Sequence, residues 1–268
     1  MIHPTAVIHP QARLGANTRV GPYAVIDADV VIGPDCQIGP HVYITGQTRM
    51  GARNKLHAGC VIGDWPQDVR FAGEPTGVVI GDDNVIREHV TIHRSNKNDE
   101  PTRLGSHCFL MAGSHVGHNT AVGDHVIMAN GALLAGHVTV GDRVFISGNC
   151  LVHQFVRIGP YALMQGGSGI SKDLPPYTIA HGQNHICGLN VIGLRRAGFS
   201  AEARLELRRL YQLLFRGGLK LQEALARARK EYISSHAALL LDFIASGRRG
   251  FCSDASSLNE DHSSEEES

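Results

Sequence analysis

Aromatic side chains make up only 6% of this 268-residue chain, and Trp65 is its single tryptophan. A core built on large rings is excluded, so small aliphatic residues must fill it. No run of ~20 apolar residues occurs, which excludes a membrane-spanning helix. The first residues, MIHPTAVIHP, lack a basic stretch followed by an apolar one. A secretory leader is therefore not expected, and the expected compartment is the cytoplasm. The six cysteines form no CxxC pair, so neither a structural zinc site nor a redox site is indicated. Net charge is also lacking, since 25 Lys and Arg balance 25 Asp and Glu. That balance hides an asymmetry. Residues 254–268 carry six of the acids and no Lys or Arg, which leaves the remainder at +6. Residues 195–230 hold ten Lys and Arg against three Glu, a stretch that suits either an anionic partner or a solvated helical face. No nucleic-acid partner is expected.

What the chain has instead is a period of six. Stepping from Ile2 meets Ile8, Leu14, Val20, Ile26 and Ile32, and the series runs on to Ile62. The phase resumes with Ile80, Ile86 and Ile92, and again from Leu104 to Ile170. All 26 of these positions are Ile, Val, Leu or Met, and the following residue is Gly in 12 of them. The residue two before is often small, as in Ala24, Val30, Cys36, Val42, Thr48 and Cys60. A helix repeats near 3.6 and an ordinary strand near 2. A strict six fits a short strand, a corner and the next short strand. Three such sides close a triangular coil of about 18 residues, and coils stack at about 4.8 Å.

Two segments break the pattern. Residues 64–79 place Asp68 and Glu74 where aliphatics should stand, and residues 94–103 (RSNKNDEPTR) are polar throughout. Both read as loops leaving the prism, where function concentrates. After Ile170 the period stops. Residues 200–216 read as a helix with Ser200 as N-cap and Gly217-Gly218 as the stop. LKLQEALARARKEY and SHAALLLDFIAS read as two more helices. The domains expected are a β-helix over 1–190, a helical domain over 191–251, and a disordered, Ser-rich acidic tail over 252–268.

Cys36, Cys60, Cys108 and Cys150 share the small inward phase and read as core-filling thiols, while Cys187 and Cys252 lie outside the repeat. Of sixteen histidines, twelve lie between residues 3 and 153, none in an inward phase. His118 and His137 are separated by about one coil, His153 follows on the next, and His115 precedes His118. The cluster admits two chemistries. Three neutral imidazoles could hold Zn²⁺ with an open position, as in a carbonic-anhydrase-like hydratase. Alternatively, one imidazole could act as a general base while its neighbours position substrate. A non-catalytic scaffold subunit is the third reading. Spacing alone leaves all three open.

Longer segments are more specific. They are QDVRFAGEPTGVVIGDDNVIREHVTIHR (67–94), MAGSHVGH (111–118), LLAGHVTVGD (133–142), LVHQFVRIG (151–159), PPYTIAHGQN (175–184) and GLNVIGLRRAGFS (188–200). In this order and spacing the chain resembles the acyl-ACP:UDP-N-acetylglucosamine O-acyltransferases that open lipid A biosynthesis, from about residue 1 to 249. The resemblance implies an all-β left-handed parallel β-helix followed by a small α-helical C-terminal domain. It implies a homotrimer with sites between subunits, acyl carrier protein and UDP-N-acetylglucosamine as partners, and no metal or other cofactor. A 3-hydroxyacyl chain would pass to the 3-position of the glucosamine.

Matched residue by residue, the resemblance makes His118 the base and the Gly136 N–H the oxyanion donor. Asp68 and Arg70, the latter for a family Lys, meet the sugar and its phosphates. His115, His137 and Gln154 fall on the substrate side, and His153 near the nucleotide and pantetheine phosphate. Asn190 and Arg196 serve the uridine diphosphate. Gly166 bears on acyl length, with Met164 and Gln165 beside it as candidates to shorten the groove. Acidic carrier protein is expected on Arg204, Arg208, Arg209 and Lys220. Three residues depart from the family pattern: Asn119 for an orienting Asp, Ile192 for an acid, and Ala197 for a second Arg.

Overall fold

The computed structural model describes residues 1–255. Most strands are two residues long, such as Val25–Ile26, Val31–Ile32 and Gln37–Ile38. In each, the second side chain points into the prism and the first points out. Strands pair in parallel with the strand one coil later, so Val25 stands against Tyr43 and Ile26 against Ile44. Three sheets of nine, eight and eleven strands result. The six-residue phase thus becomes three inward aliphatic columns, with Ile26, Ile32, Ile62, Ile92 and Leu134 almost wholly buried. The small phase packs the corners from inside, and Cys36, Cys60, Cys108 and Cys150 are all buried free thiols. Burial pushes the Cys60 and Cys108 thiols up to about 11, so they stay protonated and inert.

The corners account for five of the sixteen histidines. Each coil turns through residues with φ near +60°, a region that Asn, Asp and His enter more readily than other side chains. Asn17, Asp35, His41, His89, His107, Asn119, His125 and His137 all take it. The Gly after an inward aliphatic has another cause, the close stacking of coils. A Cβ on Gly33 would come within 2.6 Å of the Gly51 backbone on the next coil.

Both interruptions leave the prism at one corner. The strand Val61–Asp64 runs out into the first loop, and the chain returns at Val78–Ile80. The second loop follows Thr91–His93 and rejoins at Thr102–Leu104. This second segment is less loop-like than its polarity implies. Arg94, Ser95 and Thr102 are buried: Ser95 donates to Lys97 O and Thr102 accepts the Asn119 N–H, while the Arg94 guanidinium lies against aromatic rings with its Nε unpartnered among the described residues.

The repeat also outlasts Ile170. Thr178–His181 adds one more parallel strand beside Leu163–Met164, and His185–Leu189 turns back antiparallel. Among the described residues four helices follow: α1 (Val191–Arg196), α2 (Ala201–Phe215), α3 (Leu221–Glu231) and α4 (Ser235–Ala245). The short α1 was not evident from periodicity. Ser200 caps α2 as expected, accepting the Ala203 N–H at 3.1 Å. A second apolar core, including Leu207, Leu210, Leu225, Leu240 and Leu241, holds the helices together. Arg157 ties them to the prism. It donates to the buried Asp173 carboxylate through its backbone N–H at 2.9 Å and Nε at 2.7 Å. Its η-nitrogens reach Phe243 O on α4 and Ser246 Oγ at the C-cap of that helix.

The tail boundary expected at residue 252 needs correction. Cys252 is buried, and Ser253–Asp254 pairs in parallel with His185–Leu189. The Asp254 carboxylate accepts from the Tyr211 hydroxyl and from Arg216 Nε, two α2-side donors that only the fold brings to it. The rest of the expected acidic tail, residues 256–268, lies outside the described residues. Replacing Asp254 with Ala leaves a buried Tyr hydroxyl and an Arg without this acceptor. The expected loss is about 3 kcal/mol of folding stability, read by denaturant unfolding. A loss below about 0.5 kcal/mol would show that the clamp contributes nothing.

Candidate functional site

Coil stacking assembles the site in columns. His118, Gly136 and Gln154 occupy equivalent corner positions on three successive coils, and Asn119, His137 and Phe155 occupy the next positions along. Gly136 stands against the His118 ring so closely that a Cβ there would lie 2.6 Å from Nε2. Any side chain at 136 must displace the imidazole. The Gly136 N–H makes no hydrogen bond among the described residues and is free to serve a ligand.

His118 Nδ1 lies 2.8 Å from Asn119 Oδ1. An amide oxygen only accepts, so the proton sits on Nδ1 and the Nε2 lone pair faces outward. It faces a cavity of about 290 Å³ lined by Gln67, His93, His115, His118, Gly136, His153 and Gln154. His137 meets His118 edge-on with ring centroids 5.1 Å apart, and stacks on Phe155 at 4.6 Å. Burial, with the neighbouring His118, lowers the pKa of His137. His115 Nδ1 lies 2.7 Å from Thr91 Oγ1, and burial drives its pKa down to about 4. Both rings are therefore neutral near pH 7 and act as hydrogen-bonding groups, not cations. Among the described residues, no group of three His, Cys, Asp or Glu converges as a bound metal would require.

Two loop elements close around this corner. Asp68 accepts the Arg70 backbone N–H at 3.0 Å, Arg70 Nε at 3.3 Å and Asn96 Nδ2 at 2.8 Å. These hydrogen bonds, the Arg70 backbone first, hold its carboxyl well below the usual carboxylate range. Arg70 itself reaches out with its side chain 86% exposed. Beneath the loop lies the buried Arg94, its guanidinium 5.9 Å from the Trp65 ring and 5.6 Å from that of Phe71. Asn96 links the first loop to the His118 corner, because its side chain holds Asp68 and its backbone N–H donates to Asn119 Oδ1 at 3.2 Å.

The remaining residues singled out from the sequence lie elsewhere. Asn190 is buried at the start of α1, where its Oδ1 accepts the Gly193 N–H and its Nδ2 donates to Tyr161 O. With Arg196 it lines a different cavity, of about 760 Å³, over Ile127, Phe145, Leu163 and Gln165 on the outer face of the eleven-stranded sheet. One chain thus carries the His118 group and the Asn190–Arg196 group on separate faces. Gly166 sits exposed at the corner between those faces. Beside it Gln165 Oε1 lies 2.8 Å from His181 Nδ1. Met164 is wholly buried inside the prism and cannot shape an outer groove. Sequence reasoning missed Ser95, Asn96, Arg94 and Phe155. The first three lie in a segment without periodicity, and only the column arithmetic could have flagged Phe155.

The half-buried His115 has a measurable consequence. Its ordinary value is 6.5 and its folded value about 4, so between the two the unfolded chain binds a proton that the folded chain refuses. This contribution to stability is complete above 6.5 and is lost as pH falls toward 4. His115→Gln should flatten the decline by on the order of 2 kcal/mol between about pH 7 and about pH 4, in urea unfolding followed across that range. An unchanged slope would place the titration elsewhere.

Comparison with known proteins agrees with this layout. Residues 173–252 match the family model described as UDP N-acetylglucosamine O-acyltransferase, domain 2. Residues 29–64 and 101–136 match the bacterial transferase hexapeptide model. The chain is 44% identical over 253 residues to the acyl-[acyl-carrier-protein]–UDP-N-acetylglucosamine O-acyltransferase of Syntrophobacter fumaroxidans, covering 93% of this chain and 98% of that one. It is 45% identical to the enzyme of the same name from Myxococcus xanthus, with the same coverage. A solved UDP-N-acetylglucosamine acyltransferase from Bacteroides fragilis superposes with a TM-score of 0.91 at 40% identity, over 94% of this chain and 99% of that one. The shared fold is a left-handed parallel β-helix with C-terminal helices. With this identity across nearly the whole length, the chain belongs to the acyl-[acyl-carrier-protein]–UDP-N-acetylglucosamine O-acyltransferase family.

Proposed function

We propose that this chain transfers a 3-hydroxyacyl group from acyl carrier protein to the 3-hydroxyl of the glucosamine of UDP-N-acetylglucosamine, the opening reaction of lipid A biosynthesis. The observation that carries the reading is the state of His118: its Nδ1 is committed to Asn119, and its Nε2 is open to the cavity beside a free backbone N–H. A sugar hydroxyl is a poor nucleophile until its proton leaves. Nε2 takes that proton as the oxygen attacks the thioester carbonyl. The new C–O bond places negative charge on the carbonyl oxygen, and the Gly136 N–H is the donor for it. Collapse breaks the C–S bond, and the departing thiolate recovers the proton from the imidazolium. The protein forms no covalent intermediate.

The neighbours fit supporting roles. Neutral His115 and His137 direct sugar oxygens without adding charge next to the base. Anionic Asp68 accepts from sugar hydroxyls, and the outstretched Arg70 suits phosphate. His153 and Gln154 line the same cavity and suit the phosphate and substrate side. Asn190, through the α1 turn it caps, and Arg196 suit the uridine diphosphate. Gly166 leaves the outer corner open for the acyl chain. Since these groups lie on separate faces of one chain, a single ligand meets both only where two copies adjoin. That supports a homotrimer with clefts between subunits. The exposed Arg208, Arg209 and Lys220, with the half-buried Arg204, offer a basic landing surface for acidic carrier protein. No described helix is long and apolar enough to cross a membrane, and we place the reaction in the cytoplasm. Neither the zinc-hydratase reading nor the scaffold reading has an observation in its favour.

A thioester-release assay with UDP-N-acetylglucosamine and 3-hydroxyacyl carrier proteins tests this. His118→Ala should lower kcat at least about 100-fold with little change in KM, since general-base catalysis contributes roughly 10²–10⁴-fold. Activity within about tenfold of the parent sinks the assignment. Gly136→Ala should also lose at least about tenfold in kcat, because its methyl displaces the ring and crowds the donor.

A further inference from the structure

We propose that Ser95 is a positioning residue that decides which end of the Asn119 amide faces His118, and so which imidazole nitrogen carries the proton. The proposal rests on His118 being the base. A carboxylate at 119 would present two equal oxygens and need no such device. An amide has an accepting end and a donating end of nearly the same shape. Turned over, its NH₂ would donate to Nδ1, move the proton to Nε2, and leave the cavity without a base.

Ser95 distinguishes the two orientations. It is wholly buried, and its Oγ lies 2.6 Å from Asn119 Nδ2. Its single proton is committed to Lys97 O at 3.0 Å, and it accepts the Lys97 N–H at 2.9 Å. Toward Asn119 it therefore offers only a lone pair. A reversed amide would set two oxygen lone pairs against each other in a buried site and leave the amide oxygen facing no donor there. The Asn96 N–H, 3.2 Å from Oδ1, votes the same way, because a reversed amide would face it with another donor. Thr102 Oγ1 accepts the Asn119 backbone N–H at 2.8 Å and steadies the left-handed residue while its side chain is read.

A double-mutant cycle between S95A and N119D tests this, each variant being assayed in the full chain with both substrates. S95A alone should lower kcat about tenfold or more while KM for the nucleotide sugar stays within about twofold. Added to N119D, which has no amide to orient, S95A should change kcat by less than about twofold. In parallel, ¹⁵N spectra of the His118 ring should show the proton on Nδ1 in the parent and a mixture of tautomers in S95A. Equal losses in both backgrounds would mean that Ser95 merely supports the turn, and would overturn the proposal. So would an unchanged tautomer in S95A, a reading that holds even if N119D proves inactive. The base assignment fails separately, through an active His118→Ala.

Discussion

The prism follows from the burial of one aliphatic side chain in each two-residue strand of its repeat. Because side chains alternate across a strand, a slip of one residue would turn a whole inward column into water. Burial therefore fixes the register of each coil on the next, and Val25 against Tyr43 is repeated up the stack. Once the register is fixed, corners align, and groups far apart in sequence stand one above another. His118 and Gly136 meet for this reason, with no dedicated contact to bring them together. On such a frame the core places the imidazole and the Gly136 N–H, which suits the proposed reaction, with a base at the attacking oxygen and a donor at the carbonyl oxygen.

The same constraint says where the chain can depart from the pattern. Both loops leave at one corner, and each return strand re-enters in phase, as Val79 and Ile80 do against Arg49 and Met50. The core loses nothing, and the added residues gather beside His118. Prism and helices are coupled differently, by buried carboxylates. Asp173 holds Arg157, which reaches α4, and Asp254 holds groups of α2. A buried carboxylate must be paired, so each makes its partner's position definite rather than adding much net stability.

What could be read from the sequence was what periodicity encodes. The inward columns, the core cysteines, the capped α2 and the closeness of His118 and His137 all follow from spacing. The abundance of histidine did not, because residues such as His89, His107 and His125 serve left-handed corners, and a φ angle leaves no mark on hydropathy. Asp254 looked like part of an acidic tail, because composition cannot distinguish a solvated carboxylate from one with a Tyr and an Arg waiting for it. Asn190 was read through its family role alone. Its work as an α1 cap shows that one amide can shape a turn and still stand at a cavity wall. Ser95 and Asn96 were invisible for the plainest reason: aperiodic polar residues carry no register.

Those aperiodic residues change how the Asn at 119 should be understood. Its corner has φ of 58°, where Asn is readily accommodated. A neutral partner cannot steady an imidazolium as a carboxylate would, so its contribution must come from geometry. Geometry from an amide is only as good as its orientation, which the adjoining loop sets through Ser95 and the Asn96 backbone. The Asn96 side chain in turn holds Asp68. The Asp68 carboxylate proposed to meet the sugar and the dipole proposed to orient the base therefore depend on one segment. If that segment shifts, both lose their alignment together. On this proposal the His118 ring is fully oriented only when the Asp68 carboxylate is also in place.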